Sequence, residues 1–547
     1  MRELPSEVPV LIAGGGPTGL AAAVELGQRG IACLVLEPRE TISFDRPRAK
    51  TTSVRTMEHF RRWGLAQRIR DVAPLPVAWS QEVVFCTSLL GREITRIGDC
   101  FGLSPTRREE WAEAGQQIGQ PLVEQVLREA LGQIPAVTFA TGWSLVELSE
   151  QADSVSVRAR ARDGAEREIR AQYVLGCEGS ASPTRAAIGA RYAGNSDLRP
   201  NFNVVFRAPG LAERVPHGPA VHYWVLNSST PGALGRMDLH DTWWGIGLGI
   251  DAETGDRDPD RVMAGLIGAP VQAQLVATDP WTARMLLADT YQTDRVFLVG
   301  DAAHLNPPWG GHGFNTGIGD AVNVGWKLAA TLNGWGSPEL LRSYQAERRP
   351  VAQQTIEDAT ANMSMLSTDL TSLVDDPEAI RRAKDSEFHS MGLVLGYTYA
   401  DSPVVVGDGT APPPHDPIHY TPSTHPGARL PHRWLPDGRS LYDALSAELT
   451  LLRLSPDADV SAFVEAARQG RLPLRVVDLS ELDLAARYAA TLLLVRPDQH
   501  IAWRTSETRV AGNAAHAILR RAVGRHAAGS DSYAAGSYSA GRGRSSV

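Results

Sequence analysis

The 547-residue sequence predicts a chain of mixed α/β and α+β class: a Rossmann-like domain, a β-rich insertion in it, and a small α/β domain towards the C-terminal end. Three observations predict this. The apolar run VPVLIA (8–13) leads into GGGPTG and then the helical stretch LAAAVELGQRG. A second apolar run, RVFLVGD (295–301), leads into another Gly-rich loop and the helical stretch DAVNVGWKLAATL. Between the two, long stretches alternate apolar and polar residues with the period of half-buried strands.

The elements follow in order. A continuous apolar run bounded by glycines reads as a parallel strand buried on both faces. Gly30 closes the first helix, and IACLVL (31–36) is the next buried strand, ending at Glu37, so a βαβ unit begins at residue 8. Met57, Phe60, Trp63 and Leu65 have helical spacing. Residues 137–175 read as antiparallel, with Asp163-Gly164 as a hairpin turn. Stretches rich in aromatics (Phe202, Phe206, Tyr223, Trp224, Trp243, Trp244) follow between 201 and 250, and a helix is expected from about Gly317. Residues 401–438, rich in Pro and Gly, read as a linker. LTLLRL, LRVVDL and ATLLLVRP then alternate with helical patterns as a small α/β domain. The low-complexity tail 526–547 is expected to be disordered.

Composition limits the function classes. A formal net charge of -8, without a basic cluster, argues against nucleic acid as a partner. Cys33, Cys86, Cys100 and Cys177 lack CxxC or metal-ligand spacing, which predicts a reduced, cytoplasmic setting and no metal. The opening residues lack the layout of a signal peptide, and no window reaches the length of apolar chain a membrane helix needs. Only Lys50, Lys327 and Lys384 are lysine among 54 basic residues, the bias of a GC-rich, actinobacterial genome.

Two motifs carry chemistry. Gly14-x-Gly16-x-x-Gly19, with Pro17 and Thr18 between, joins strand to helix, and Glu37 follows about 20 residues on. Such glycines let a pyrophosphate approach a helix N-terminus, and the acid can accept from ribose hydroxyls. In the second, Asp301 ends a buried strand ahead of NPPWGGHGFNTG. An acid there can bind a ribityl or ribose hydroxyl, and the loop and helix N-terminus can face the flavin N1–C2=O edge.

These motifs resemble the group A flavin-dependent aromatic hydroxylases, the p-hydroxybenzoate and phenol hydroxylase family. Further stretches support the resemblance over about the first 360 residues: RPRAKTTSVRTMEHFRRWGL (46–65), IGQPLVEQVLREAL (118–131), GCEGSASPTR (176–185) and LLRSYQAERRPVA (340–352). PGARLPHRWLPDGRSLYD (426–443) with the terminal domain is similar to phenol hydroxylases carrying a thioredoxin-like appendage, here without CxxC. VFCTSLLGREITRIG (84–98) is similar to the 2,4-dichlorophenol 6-monooxygenase branch.

The resemblance implies a glutathione-reductase-type domain binding FAD non-covalently over 1–180, with substrate-domain segments near 77–115. A substrate domain over 181–290, a second FAD-binding part over 291–400, a linker over 401–440 and a thioredoxin-like domain over 441–525 complete it. It also implies NADPH or NADH as donor at a flavin that swings outward, O2 as co-substrate, and oxygen transfer from a C4a-hydroperoxide to a small phenol-like or hydroxypyridine ring. A secondary-metabolite intermediate such as a piericidin precursor is one expected substrate. Baeyer–Villiger or epoxidase-type oxidation on the same scaffold, and a non-catalytic flavin protein, are the alternatives. A homo-oligomer remains open.

The cofactor set so implied is Gly14, Gly16, Pro17, Thr18, Gly19, Glu37, Arg46, Gln120, Glu178, Gly179, Asp301, Pro308, Gly311, Gly313, Phe314 and Asn315. Catalytic candidates are Arg46, Lys50, Pro308 and His312. Substrate candidates are Phe206, Tyr223, Trp224, Trp243 and Trp309, each of which can equally be sheet core. Three departures stand out. Glu178 replaces the family's Asp, and His312 stands where Gln is usual, either as a pH-sensitive neighbour of the flavin or as a tolerated loop residue. Lys50 replaces an Asp that acts as phenol base in some relatives. Its ammonium either meets a phenolate or acidic substrate, or is solvated, or faces flavin phosphates.

Overall fold

A computed structural model describes residues 4–525 apart from Pro47, 197–198 and 368–369; the tail at 526–547 lies outside the described residues. The strand Glu7–Ala13 lies inside a parallel sheet. One edge pairs with Cys33–Glu37, which pairs with Val137–Thr141; the other pairs with Glu166–Gly176. The helix Pro17–Gly27, buried from Gly19 onward, crosses from the first strand to the second.

Glu166–Gly176 does two jobs. Its first half bonds antiparallel Val155–Ala161, and its last residues bond Val296–Leu298 in parallel. Its burial switches accordingly, from alternating to three buried residues in a row at 174–176. The expectation of a wholly antiparallel 137–175 is therefore corrected. Val137–Thr141 and the end of Glu166–Gly176 belong to the parallel sheet, while Trp143–Glu150 and Val155–Ala161 form the antiparallel part. The turn at Asp163-Gly164 is as predicted: Gly164 has φ +90° and Asp163 accepts from the Ala165 amide at 3.0 Å.

A second sheet has seven strands in the order Gln274–Thr282, Pro200–Arg207, Thr242–Leu248, Gly232–Arg236, His222–Val225, Val83–Cys86 and Glu93–Ile97. One face packs on the helix Pro259–Ile267 through Phe202, Phe206, Tyr223, Trp243 and Leu266. The opposite face carries Phe85, Trp224 and Trp244. The final small sheet has the order Leu474–Asp478, Leu449–Arg453, Leu492–Val495 and Ile501–Thr505. Its first pair is parallel and the rest antiparallel, the thioredoxin-like arrangement. All four cysteines lie before it.

Two long helices, His312–Leu332 and Pro338–Ser367, join this unit to the first sheet. The junction is polar and buried. Glu347 accepts from Arg496 through both oxygens (2.7 and 2.8 Å), from Lys327 at 2.7 Å, from Asn323 at 2.7 Å and from Ser402 at 2.6 Å. Arg496 also pairs with Asp498, which accepts from Trp326 Nε1. These two cations hold the Glu347 carboxyl down, at about 2, against the opposing effect of burial. The segment 401–440 has almost no regular structure of its own but is pinned down, with Arg429 buried on Glu58 and isolated bridges joining Ala428 to Thr398 and Arg429 to His500.

Removing one partner of a buried ion cluster leaves the others without compensation, at about 3–5 kcal/mol. Glu347→Gln is therefore expected to lower the thermal unfolding midpoint by several degrees in scanning calorimetry. An unchanged midpoint would show that the cluster contributes nothing net.

Candidate active site

A single cavity of about 820 Å³ runs from the first βαβ turn to the open face of the seven-stranded sheet. At the first end the glycines divide their work. Gly14 has φ +99°, and a Cβ there would sit 2.4 Å from the Cys177 carbonyl oxygen; a Cβ on Gly19 would sit 1.9 Å from the Gly14 oxygen. These two hold the turn against its neighbours. Gly16 differs: a Cβ there meets nothing within 4 Å, and the residue lines the cavity with Pro17 and Thr18. The amides of the helix Pro17–Gly27 thus begin at open space. Glu37, buried at the end of its strand, lines the same end. Its carboxylate accepts from the Gly15 amide (2.8 Å) and from the Arg39 amide and Nε (2.9 and 2.7 Å).

The middle of the cavity is formed by Asp301, Pro308, Gly311, Gly313 and Phe314. The helix begins at His312, not near Gly317. Glycine lowers helix propensity enough to hide the first turn in the sequence. Gly311, at φ +70°, caps it and turns the chain so that the first amides meet the cavity. Behind the loop, Asp320 accepts from His304 Nε2 (2.7 Å), from Arg348 Nε (2.6 Å) and from the Gly300 amide (3.2 Å). Asn315 lies outside the cavity lining. Its Nδ2 donates to the Gly311 and Thr51 oxygens, and its Oδ1 accepts from the Ser53 amide at 2.9 Å, so it ties two loops together.

The far end is aromatic. Trp224, Trp244, Trp281, Trp309 and Phe101 line it with His222, Ile246 and Leu248. Trp281 and Trp309 are tilted with centroids 6.2 Å apart. Trp224 Nε1 donates to His222 Nε2 at 3.1 Å, which makes that nitrogen an acceptor and leaves the proton on Nδ1. Burial, with Lys50 and Lys384 nearby, pushes the His222 pKa down to about 3. Lys50 Nζ lies 4.3 Å from the centroid of the Trp244 ring.

The predicted residues therefore separate. Gly14, Gly16, Pro17, Thr18, Glu37, Gln120, Glu178, Gly179, Asp301, Pro308, Gly311, Gly313 and Phe314 share one cavity with Lys50, Trp224 and Trp309. Phe206, Tyr223 and Trp243 do not reach it. They pack on the helix side of the sheet, with Tyr223 Oη donating to the Gly218 oxygen. Arg46 also lies off the cavity, half-exposed and 3.5 Å from Asp279. Glu178 lines the cavity, but its oxygens accept from Ser182 (2.8 Å) and Thr184, so it also caps the short helix Pro183–Ala187. His312 packs on Gly310 rather than lining the cavity, and its buried Nε2 has no hydrogen-bond partner. Burial pushes its pKa down to about 4, so it stays neutral around pH 7.

Sequence reasoning missed His222, Trp244, Trp281, Phe101 and Glu387. The signal was present for two of them, His222 and Trp244. Alternation puts His222 and Trp224 on one face and Tyr223 on the other, and likewise separates Trp244 from Trp243.

A dinucleotide cradle that opens into an aromatic chamber defines a flavoprotein of the oxygenase kind. Residues 7–359 match the family described as FAD binding domain, and 423–526 match aromatic-ring hydroxylase, C-terminal. The tetracenomycin B2 monooxygenase-dioxygenase of Streptomyces olivaceus is 33% identical, over 91% of this chain and 95% of its own. The 2,4-dichlorophenol 6-monooxygenase of Delftia acidovorans is 30% identical, over 95% and 99%. The crystal structure of the flavin-dependent monooxygenase PieE in complex with FAD and substrate is 28% identical, with a TM-score of 0.86 over 95% and 99% of the two chains. The chain belongs to the group A family of FAD-dependent aromatic hydroxylases, as the sequence motifs imply. The open space at Gly16 and the helix amides facing the cavity fit that cofactor.

Two expectations follow. Gly16→Ala should fold normally yet bind FAD at least tenfold more weakly, about 1.4 kcal/mol, by fluorescence titration. Gly14→Ala should instead lose stability, by roughly 1–3 kcal/mol from backbone strain, on top of its clash. Equal FAD affinity for Gly16→Ala and the parent chain would place the pyrophosphate elsewhere.

His312 supplies a pH test. With its folded pKa near 4 and an ordinary value of 6.5, the unfolded chain binds the extra proton between those limits. Its contribution to stability is complete above pH 6.5 and is lost as pH falls towards 4. His312→Gln should therefore show a shallower fall of unfolding midpoint across that range. An unaltered acid slope would mean that the ring is not held neutral.

Proposed function

We propose that this chain inserts one oxygen atom of O2 into an electron-rich, phenol-like or hydroxypyridine ring, using FAD and either NADPH or NADH. The observation that carries this reading is continuity: the cradle at Gly16 and Glu37 and the chamber of Trp224, Trp244, Trp281 and Trp309 are two ends of one cavity. FAD, when bound, supplies electron acceptance from the nicotinamide and activation of O2. Everything else falls to the protein.

In this reading Gly16 and the first amides of Pro17–Gly27 hold the pyrophosphate at the turn that Gly14 shapes, and Glu37 takes the ribose hydroxyls. Gln120, Gly179 and Asp301 hold the linking chain. Asp301 stands at the end of a strand in the same wall as Pro308, a rigid loop position next to the helix N-terminus. The amides of Gly313 and Phe314, at the cavity wall, would stabilise negative charge that develops on the bound ring system. The tryptophans orient the aromatic substrate and exclude water, which shields the reactive oxygen species from side reactions. His312 and Arg46 take no direct part in this reading, since neither lines the cavity. The relatives include a putative polyketide hydroxylase of Streptomyces halstedii and a tetracenomycin B2 monooxygenase-dioxygenase, which supports a polycyclic or polyketide-derived phenol as substrate.

The test is NADPH and NADH consumption by the yellow protein with and without a panel of phenols, aryl polyketides and hydroxypyridines. Substrate-stimulated consumption and a product one oxygen heavier, hydroxylated on the ring by NMR, are expected. Bound FAD with no stimulation by any aromatic compound overturns the reading, and an oxygen inserted beside a carbonyl replaces it with Baeyer–Villiger chemistry.

A further inference from the structure

Of the three lysines of this chain, which otherwise uses arginine as its cation, two are fully buried and Lys50 is half-buried at the cavity wall. Lys327 is fully buried and paired with Glu347, and Lys384 is fully buried and paired with Glu387, each at 2.7 Å. Lys50 has no such partner. Among the described residues no carboxylate lies within 4.0 Å of its Nζ, which donates to the Arg48 oxygen at 3.1 Å and stands over Trp244. The acid that acts on it, Asp279, is already paired with Arg46. A sheltered ammonium without a counter-ion is costly, and a ligand carrying negative charge removes that cost.

The position is held rigidly. The Lys50 oxygen accepts from the Ile118 amide at 2.9 Å, and the adjoining Thr51–Thr52 pairs with Gln116–Gln117. Beside Lys50, His222 presents the second donor of the chamber, its Nδ1–H, because Nε2 is already taken by Trp224. The one acid in the chamber lining, Glu387, is neutralised by Lys384, which itself stands over Trp224. At the aromatic end Lys50 thus offers a cation and His222 a neutral N–H donor, with the Arg48 guanidinium a second cation in the same cavity lining.

We propose that Lys50 and His222 form an oxyanion subsite, so that the substrate is an aromatic compound bound through an ionised ring oxygen or carboxylate, with its ring against Trp244. This rests on the hydroxylase reading for the identity of the cavity, but it concerns only the charge on the ligand. An ionised oxygen also makes its ring more electron-rich. That would let the ammonium do by ion pairing what a base in the same loop would do by removing a proton. Burial lowers the Lys50 pKa to about 8, partly offset by Asp279. The other charged groups about it are Asp45, Arg46 and Arg48 on its own loop and the Lys384–Glu387 pair across the chamber. The subsite is charged below pH 8 and fades above it.

The experiment is equilibrium dialysis of FAD-loaded protein against 2-hydroxyanthraquinone, anthraquinone-2-carboxylate and 2-methoxyanthraquinone, from pH 5.5 to 9.5. At least one ionised probe should bind tenfold or more tightly than the methoxy compound, lose that margin in Lys50→Met, and weaken above pH 8. The methoxy compound should be indifferent to both changes. A margin for the hydroxy probe identifies a phenolate site, and one confined to the carboxylate identifies a carboxylate site. Equal binding of all probes, no binding of any, or a margin that survives Lys50→Met overturns the proposal. The pH profile of the parent protein decides the matter should the variant fail to retain FAD. Failure of the hydroxylase reading is seen separately, as absence of FAD binding or of aromatic-stimulated NAD(P)H consumption.

Discussion

The site depends on one buried carboxylate. Asp320 is fully enclosed and takes hydrogen bonds from the strand-end loop at Gly300 and His304 and from Arg348 on the long closing helix. Arg348 and His304 hold it ionised, so three elements distant in sequence are joined through one charge. Charge-assisted hydrogen bonds of this kind are strong in a low-dielectric interior; Oδ1 accepts from Arg348, and Oδ2 accepts from both His304 and the Gly300 amide. Asp301 and the first turn of His312–Leu332 lie on either side of that joint. Their relative position is fixed by Asp320 although neither touches it.

The same helix carries the second joint. Trp326 and Lys327, two turns beyond Asp320, enter the cluster of Glu347, Arg496 and Asp498 that holds the terminal sheet. From that sheet the contacts return to the start of the cavity. The Asp498 oxygen and Gln499 accept from Arg55, and Arg429 pairs with Glu58, both on the helix Val54–Arg62 that follows the Lys50 loop. A thioredoxin-like unit without cysteine is thus tied into the catalytic unit by buried polar contacts. It braces the loop that delivers Lys50 by bonding the helix behind it.

The dinucleotide end was legible because its demands are local. A glycine at φ +99°, a helix N-terminus and an acid one strand away are set by a few neighbouring residues, and Gly14, Gly16, Glu37 and Asp301 all read directly. The aromatic end was half legible. Trp224 and Trp309 line the cavity, while Phe206, Tyr223 and Trp243 lie on the opposite face, because composition gives the hydrophobicity of a strand but not which side meets a cavity. Burial cannot decide it either, since both faces of this sheet are covered. The long strand Glu166–Gly176 was misread for a related reason: it changes neighbours midway, and a single periodicity cannot describe it.

The faces of that sheet are distinguished by glycine. In Thr242–Leu248 the chamber side bears Trp244, Ile246 and Leu248, while Gly245 and Gly247 point at the helix Pro259–Ile267. A Cβ on Gly245 would lie 2.9 Å from a Leu266 methyl, and one on Gly247 would lie 3.1 Å from Val262. The helix therefore seats directly on the backbone of the strand, while the bulk of the strand is left for the cavity. Close packing on one side is what holds the large rings steady on the other, since a strand pressed against a helix has little freedom to bow. The alternation of glycine with large apolar residues marks the ligand-facing side, and it does so without reference to how aromatic the stretch is.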